Sequence, residues 1–190
     1  MPTTEFLRAK FAAALPYDDY VATGKPNHRD AWVSFFERVS LTPAQTELIG
    51  GFQRQLHILI SSGTWCGDCV QQCPIFRRFE LANPDKITLR MVDRDEHADL
   101  AQQIQLCGGL RVPVVMILNE DYDLLSMAGD RSLNRYRALA AKQLGAACPV
   151  PGAPVPDEEV ASTVQDWAEE LERAHLMARL STKLRERHGD

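Results

Sequence analysis

Two cysteines separated by two residues, Cys66 and Cys69 in Thr64-Trp65-Cys66-Gly67-Asp68-Cys69, constrain this chain more than any other feature. An apolar run, Leu56 to Ile60, precedes them and reads as a buried strand. A helix read over Val70 to Leu81 follows, with Pro74 inside it as a kink. The order strand, tight Gly-containing turn, paired thiols, helix puts Cys66 at a helix N-terminus. Backbone N–H groups and the helix dipole there favour a thiolate over a thiol. A thiolate is the nucleophile of thiol–disulfide exchange, and a second cysteine two residues on can resolve the mixed disulfide. Cys66 and Cys69 are therefore the candidate catalytic pair.

The flanking pattern supports an α/β chain. Residues 1–51 read as a helical N-terminal extension. An amphipathic segment stops at Pro16, and a polar stretch with Gly24 and Pro26 reads as a loop. Asp30 caps a second helix with an apolar face of Trp32, Val33, Phe35, Phe36 and Val39. Thr42-Pro43 opens a third helix that Gly50-Gly51 ends. These aromatics read as packing, and Tyr17 and Tyr20 carry no sharper signal. From residue 52 to 145 short strands alternate with helices: strands at Leu56–Ile60, Ile87–Val92, Val112–Leu118 and Tyr122–Ala128, helices at Val70–Leu81, Asp95–Leu106 and Leu133–Leu144. That order predicts a central mixed β-sheet flanked by helices. Four prolines and Gly152 make residues 146–156 a linker, and Asp157–His188 reads as one long charged helix within the C-terminal segment 157–190. Its apolar stripe, Val160, Val164, Trp167, Leu171 and Ala174, asks for packing on its own domain or on a neighbouring chain, which would give a homo-oligomer.

A net charge of −5 argues against nucleic acid or an anionic membrane as the main partner. No apolar run approaches the roughly 18 residues that span a bilayer. Met1–Leu15 lacks the uninterrupted apolar core of a signal peptide, so the expected location is cytoplasmic and reducing. Five cysteines, three of them within residues 66–73, suit redox chemistry better than a structural disulfide framework.

Residues 52–145 resemble the thioredoxin superfamily. The resemblance rests on Trp-Cys-Gly-Asp-Cys at 65–69, on Pro74 five residues after Cys69, on Val112-Pro113 opening a later strand, and on Gly129 after the next one. Asp68, Asp93-Arg94-Asp95 and Gly108-Gly109 look most like a bacterial thioredoxin-like group. The resemblance implies a thioredoxin-like fold in which Pro113 is cis and faces the cysteines, while the backbone of Val112 pairs with an extended substrate. It implies Cys66 as attacking thiolate, Cys69 as buried resolving thiol, and Trp65 as a shield that contacts partners. Gly67, Asp68 and Cys73 would modulate the site. Asp68 stands where many thioredoxins have Pro, and its charge is expected to raise the Cys66 pKa and make the pair a better reductant.

Two departures stand out. The family usually buries an Asp six residues before the first cysteine to help deprotonate the resolving thiol; this chain has Ile60 there, leaving water or Asp93 for the task. Cys73, one helical turn after Cys69, stands where the family usually has a small apolar residue, and reads as a small hydrophobe, or else as an alternative resolving thiol or the site of a regulatory mixed disulfide. Cys107 and Cys148 read as incidental. A metal site built from Cys66, Cys69 and Cys73 with Cys107 or His97 is disfavoured, because zinc motifs prefer two separate ligand pairs. The expected function is reduction of protein disulfides without a bound cofactor or metal, recycled by an external reductase or thiol. The alternative is a thioredoxin-fold adaptor that docks partners and has secondary redox activity.

Overall fold

A strand covered on both faces needs apolar side chains at successive positions. Leu56–Ser62 (β1) is buried at all seven of its positions in the computed structural model, which describes residues 1–144 and 155–189. It pairs in parallel with Ile87–Asp93 (β2), from Leu56 opposite Ile87 to Ser62 opposite Asp93. On its other edge it pairs antiparallel with Val114–Leu118 (β3), which pairs antiparallel with Leu124–Gly129 (β4). The sheet order is thus β2-β1-β3-β4, a mixed sheet as expected.

The period-two alternation of β1 divides the core. Ile58 and Ile60 join one cluster and Leu59 the other. The first cluster is roofed by helices α2 (Tyr17–Ala22), α3 (Pro26–Arg38), α4 (Pro43–Gly50), α5 (Gly67–Ala82) and α8 (Asp157–Leu180). The second is covered by α1 (Thr4–Ala13) and by the segment around α6 (Ala98–Ala101). Helix α7 (Leu133–Leu144) packs on α8, and a short helix, α9 (Thr182–His188), ends the described chain. Both terminal regions are helical and both are built into the fold: Tyr20 and Trp32 from the N-terminal side and Trp167 from the C-terminal side share the first cluster with the sheet.

Several boundaries differ from the sequence expectation, each for a local reason. Part of the expected loop after Pro16 is the helix α2, held by burial of Tyr17, Tyr20 and Val21. Helix α3 begins at Pro26 rather than at Asp30; proline suits a first helical position, where its missing N–H has no intrahelical acceptor. The helix expected over Asp95–Leu106 shrinks to α6, because Asp93 Oδ1 accepts from the Asp95 and Glu96 amides and fixes a turn before it. Strand β4 starts at Leu124, since Tyr122 lies in a turn with φ of 69°. The C-terminal helix breaks at Ser181, whose side chain accepts from the Leu184 amide and caps α9. The α8 stripe of Val160, Val164, Trp167, Leu171 and Ala174 is buried on its own chain. Most of the proline-rich stretch, with Cys148, lies outside the described residues. Among the described residues no helix is long and apolar enough to cross a membrane.

Candidate active site

Cys66 is the N-cap of α5, in extended conformation, and Cys69 lies one turn further in. Cys66 is partly exposed, whereas Cys69 and Cys73 are fully buried; all three are free thiols. The Cys66 thiol points at the Val112 carbonyl, 3.7 Å away, and the Val112–Pro113 peptide is cis, the geometry the resemblance implies. Gly129, paired with Val114, makes this approach feasible, because a Cβ there would sit 2.2 Å from the Pro113 carbonyl oxygen. A cleft wall of Val112 and Pro113 thus faces the thiol pair.

The electrostatics of the pair differ from the expectation of a ready thiolate. A hydrogen bond shared with Cys69, and then burial, push the Cys66 thiol up, against the backbone amides of Cys69 and Asp68 that pull it down. Burial pushes Cys69 up as well, opposed by contacts with Cys66 and Ser62. The closed dithiol therefore holds its protons, and the helix N-terminus tempers that preference without reversing it.

Asp68 does not act as a free like charge on Cys66. Its carboxylate is gripped by Arg131, through contacts of 2.5 and 3.1 Å, and by Arg135 at 3.0 Å. Arg135 also reaches Glu159 on α8 at 3.2 Å, and Arg131 reaches Asp130 at 3.0 Å. With two guanidiniums on one carboxylate, the expected repulsion of a Cys66 thiolate is compensated. What Asp68 gives Cys66 is its backbone amide.

One turn below, Gln72 is fully buried and makes hydrogen bonds in four directions. Its Nε2 donates to the Asp130 and Asp68 carbonyls at 2.8 and 3.2 Å; its Oε1 accepts from the Ser132 amide at 3.0 Å and from Trp167 Nε1 at 3.2 Å. One amide side chain ties the thiol helix to the loop after β4 and to α8.

Behind Cys69, Ile60 is buried and offers no carboxylate. Asp93 is committed to the turn at Asp95 and Glu96. The polar groups present are the Ser62 hydroxyl, 3.8 Å from the Cys73 sulfur, and the buried Tyr20 hydroxyl. Helix α3 also contributes: Trp32 Nε1 donates to the Thr64 carbonyl at 3.0 Å, fixing the turn that leads into Cys66. Trp65 is 49% exposed, lies over Gly63, and carries the Arg94 guanidinium 4.9 Å above its ring. Cys73 is a buried thiol in contact with Cys69. His97 contacts Lys10, Cys107 is exposed in a turn, and no group of three or more metal-ligating side chains occurs among the described residues.

Sequence reasoning singled out Cys66, Cys69, Trp65, Val112 and Pro113, and the structure brings them together. It missed Gln72, Arg131, Arg135, Tyr20 and Ser62. The spacing of Asp68 and Gln72, i and i+4 on one helix, was the available signal for Gln72; the arginines come from a distant loop and helix and carried none.

The fold has solved relatives. A 1.5 Å crystal structure of a protein of unknown function from Pseudomonas aeruginosa superposes with a TM-score of 0.65 at 20% identity, covering 90% of this chain and 99% of that one. An HIV epitope-scaffold superposes with a TM-score of 0.60 at 21% identity, covering 88% and 92%. At this identity the likeness is one of fold. No curated protein matches the sequence. A family model described as thioredoxin matches residues 14–141, a span that takes in α2, α3 and α4 as well as the sheet and the CxxC helix. With most of its length matched and with a mixed sheet and cis-proline wall around a Cys-x-x-Cys helix, the chain belongs to the thioredoxin family.

Proposed function

We propose that the protein is a dithiol oxidoreductase that reduces disulfides in protein substrates. The observation that carries this reading is the position of Cys66: partly exposed at the start of α5, with buried Cys69 one turn behind it and the Val112 carbonyl and cis Pro113 opposite. In the first step the Cys66 thiolate attacks a substrate disulfide. One substrate sulfur leaves as a thiol and the other is held as a mixed disulfide with Cys66. In the second step Cys69 attacks the Cys66 sulfur; the Cys66–Cys69 disulfide forms and the second substrate thiol departs. The pair has lost two electrons and the substrate disulfide has gained them. An external reductase or thiol returns the pair to the dithiol, and no bound cofactor enters.

An extended substrate would lie along Val112 and Pro113, with Trp65 and Arg94 forming one flank of the approach and Arg131 the other. Because the closed pair holds its protons, the first step depends on thiolate formed at Cys66, which the backbone amides of Cys69 and Asp68 favour once the hydrogen bond shared with Cys69 opens. A reducing, cytoplasmic compartment suits a dithiol that must be kept reduced. The test is insulin-disulfide reduction with dithiothreitol as the recycling thiol. Wild type should accelerate precipitation of the B chain and Cys66→Ser should abolish the acceleration. Wild type no faster than dithiothreitol alone would instead favour a thioredoxin-fold adaptor.

A further inference from the structure

Ile60 stands where a buried carboxylate would draw a proton from Cys69, yet hydroxyl groups from two other elements surround that thiol. Ser62 ends β1 and is fully buried, with its hydroxyl 3.8 Å from the Cys73 sulfur and facing Cys69. Tyr20 comes from α2, is 1% exposed, and its ring packs edge-on to Trp32 with centroids 5.8 Å apart. The Tyr20 hydroxyl faces Ser62, Cys69 and Cys73, with Asp93 beyond, but closes a hydrogen bond of normal geometry with none of them. A buried hydroxyl without a partner costs about 1–3 kcal/mol, and phenylalanine would fill the same space without that cost. Held open in the resting dithiol, this donor points to a charge that forms only later.

Resting on the dithiol reading above, we propose that Tyr20 and Ser62 are positioning residues for the resolving step, donating hydrogen bonds in series to the thiolate that develops on Cys69. Tyr20 donates to the Ser62 oxygen and Ser62 donates to the Cys69 sulfur. Cys73 sits on the far side of the same nest and turns its own S–H toward Ser62 or Cys69. The Tyr20 hydroxyl is pushed far above the ordinary tyrosine value by burial, so it remains a donor throughout and does not act as a base. The step balances as written for the second half-reaction: Cys69 loses a proton, its sulfur bonds to Cys66, and the departing substrate sulfur takes up the electron pair and a proton. Donors to the Cys69 sulfur act on the thiolate that precedes attack: they lower its pKa and raise the fraction present as nucleophile at neutral pH, a gain only partly offset by the lower nucleophilicity of the weaker base. Two neutral hydroxyls thus replace the carboxylate whose expected place is filled by Ile60.

The test is single-turnover reaction of the reduced protein, in a Cys107→Ser/Cys148→Ser background that removes the two thiols outside residues 66–73, with 5,5′-dithiobis(2-nitrobenzoate), which releases one thionitrobenzoate when Cys66 attacks and a second when Cys69 resolves. Wild type should give two phases, and Cys69→Ser the first alone. Absence of the first phase in wild type would overturn the dithiol reading itself. Given two phases, Tyr20→Phe and Ser62→Ala should each leave the first unchanged and slow the second about three- to fivefold, what remains of one hydrogen bond to a charged group after the more basic thiolate's higher nucleophilicity is counted. The pH profile of the second phase should move to higher pH in both variants. Tyr20→Phe should melt at or above the wild-type temperature. A second phase at wild-type speed in both variants overturns the proposal, as does equal slowing of both phases. So does a Tyr20→Phe protein that melts lower yet resolves normally, since that pattern marks a purely structural hydroxyl.

Discussion

Replacing Gln72 by leucine should destabilise the protein by about 3 kcal/mol, and replacing it by alanine by about 3–5 kcal/mol. Leucine keeps most of the volume and removes the polar function. Three buried groups then lose their partner: the Asp130 carbonyl, the Ser132 amide and Trp167 Nε1. Each such loss costs about 1 kcal/mol or more when water cannot enter. The Asp68 carbonyl, 3.2 Å from Nε2, lies in the first turn of α5 and can find water. Alanine adds a cavity against Trp167 and Phe76, whose ring centroids lie 4.9 Å apart. Urea denaturation followed by tryptophan fluorescence should show a lower midpoint with an unchanged slope. A loss below about 1 kcal/mol for Gln72→Leu would refute the reasoning, because it would mean the three groups are solvated or re-paired at little cost. The same variant should raise amide exchange in residues 130–132, the loop that Gln72 holds beside Pro113 and Gly129.

Other consequences are open to direct measurement. Because hydrogen bonding to Cys69 and burial raise Cys66, its alkylation by iodoacetamide should climb about tenfold per pH unit and still be rising at the ordinary thiol value of 9.0; a plateau near neutrality would contradict this. Asp68→Asn removes the carboxylate that Arg131 and Arg135 grip, leaving two guanidiniums beside the thiol helix. Alkylation of Cys66 at pH 7 should then speed up several-fold, an effect that high salt reduces, and slower alkylation would count against the charge assignment. Burial lowers His57 and His175 below their ordinary 6.5, and His175 Nε2 accepts from the Gln53 and Arg54 amides, a role only the neutral ring can fill. Groups lowered on folding contribute stability above the unfolded value and lose it as pH falls through the folded one. Between pH 7 and 5 the wild type should therefore lose more stability than His175→Gln, which does not titrate, and equal losses would remove His175 from the account.

The sheet and the thiol helix were legible because their signals are local. An apolar run at Leu56–Ile60, two cysteines at fixed spacing and a strand opened by Val112-Pro113 each depend on a few adjacent residues. The two arginines that offset the Asp68 charge, Arg131 and Arg135, leave no local signal, because they lie more than sixty positions away and only the fold brings them to it. For the same reason the short helix α2 reads as loop in the sequence: six residues carry little periodicity, and burial of Tyr17 and Tyr20 against Trp32 decides their conformation. The break at Ser181 was visible only as a shift in the leucine stripe, from exposed Leu176 and Leu180 to buried Leu184. What the sequence could not reveal about the site is its rear wall, where α2, β1 and α5 meet around Cys69.

The central claim is that Cys66 attacks and Cys69 resolves, and the most direct measurement is the intact mass of Cys69→Ser after reaction with an oxidised protein substrate. The account predicts a stable covalent adduct, reversed by dithiothreitol and mapped by peptide sequencing to Cys66, while wild type ends as a free intramolecular disulfide two hydrogens lighter. An adduct on Cys73 or Cys107, or none at all under conditions where wild type oxidises, would contradict it.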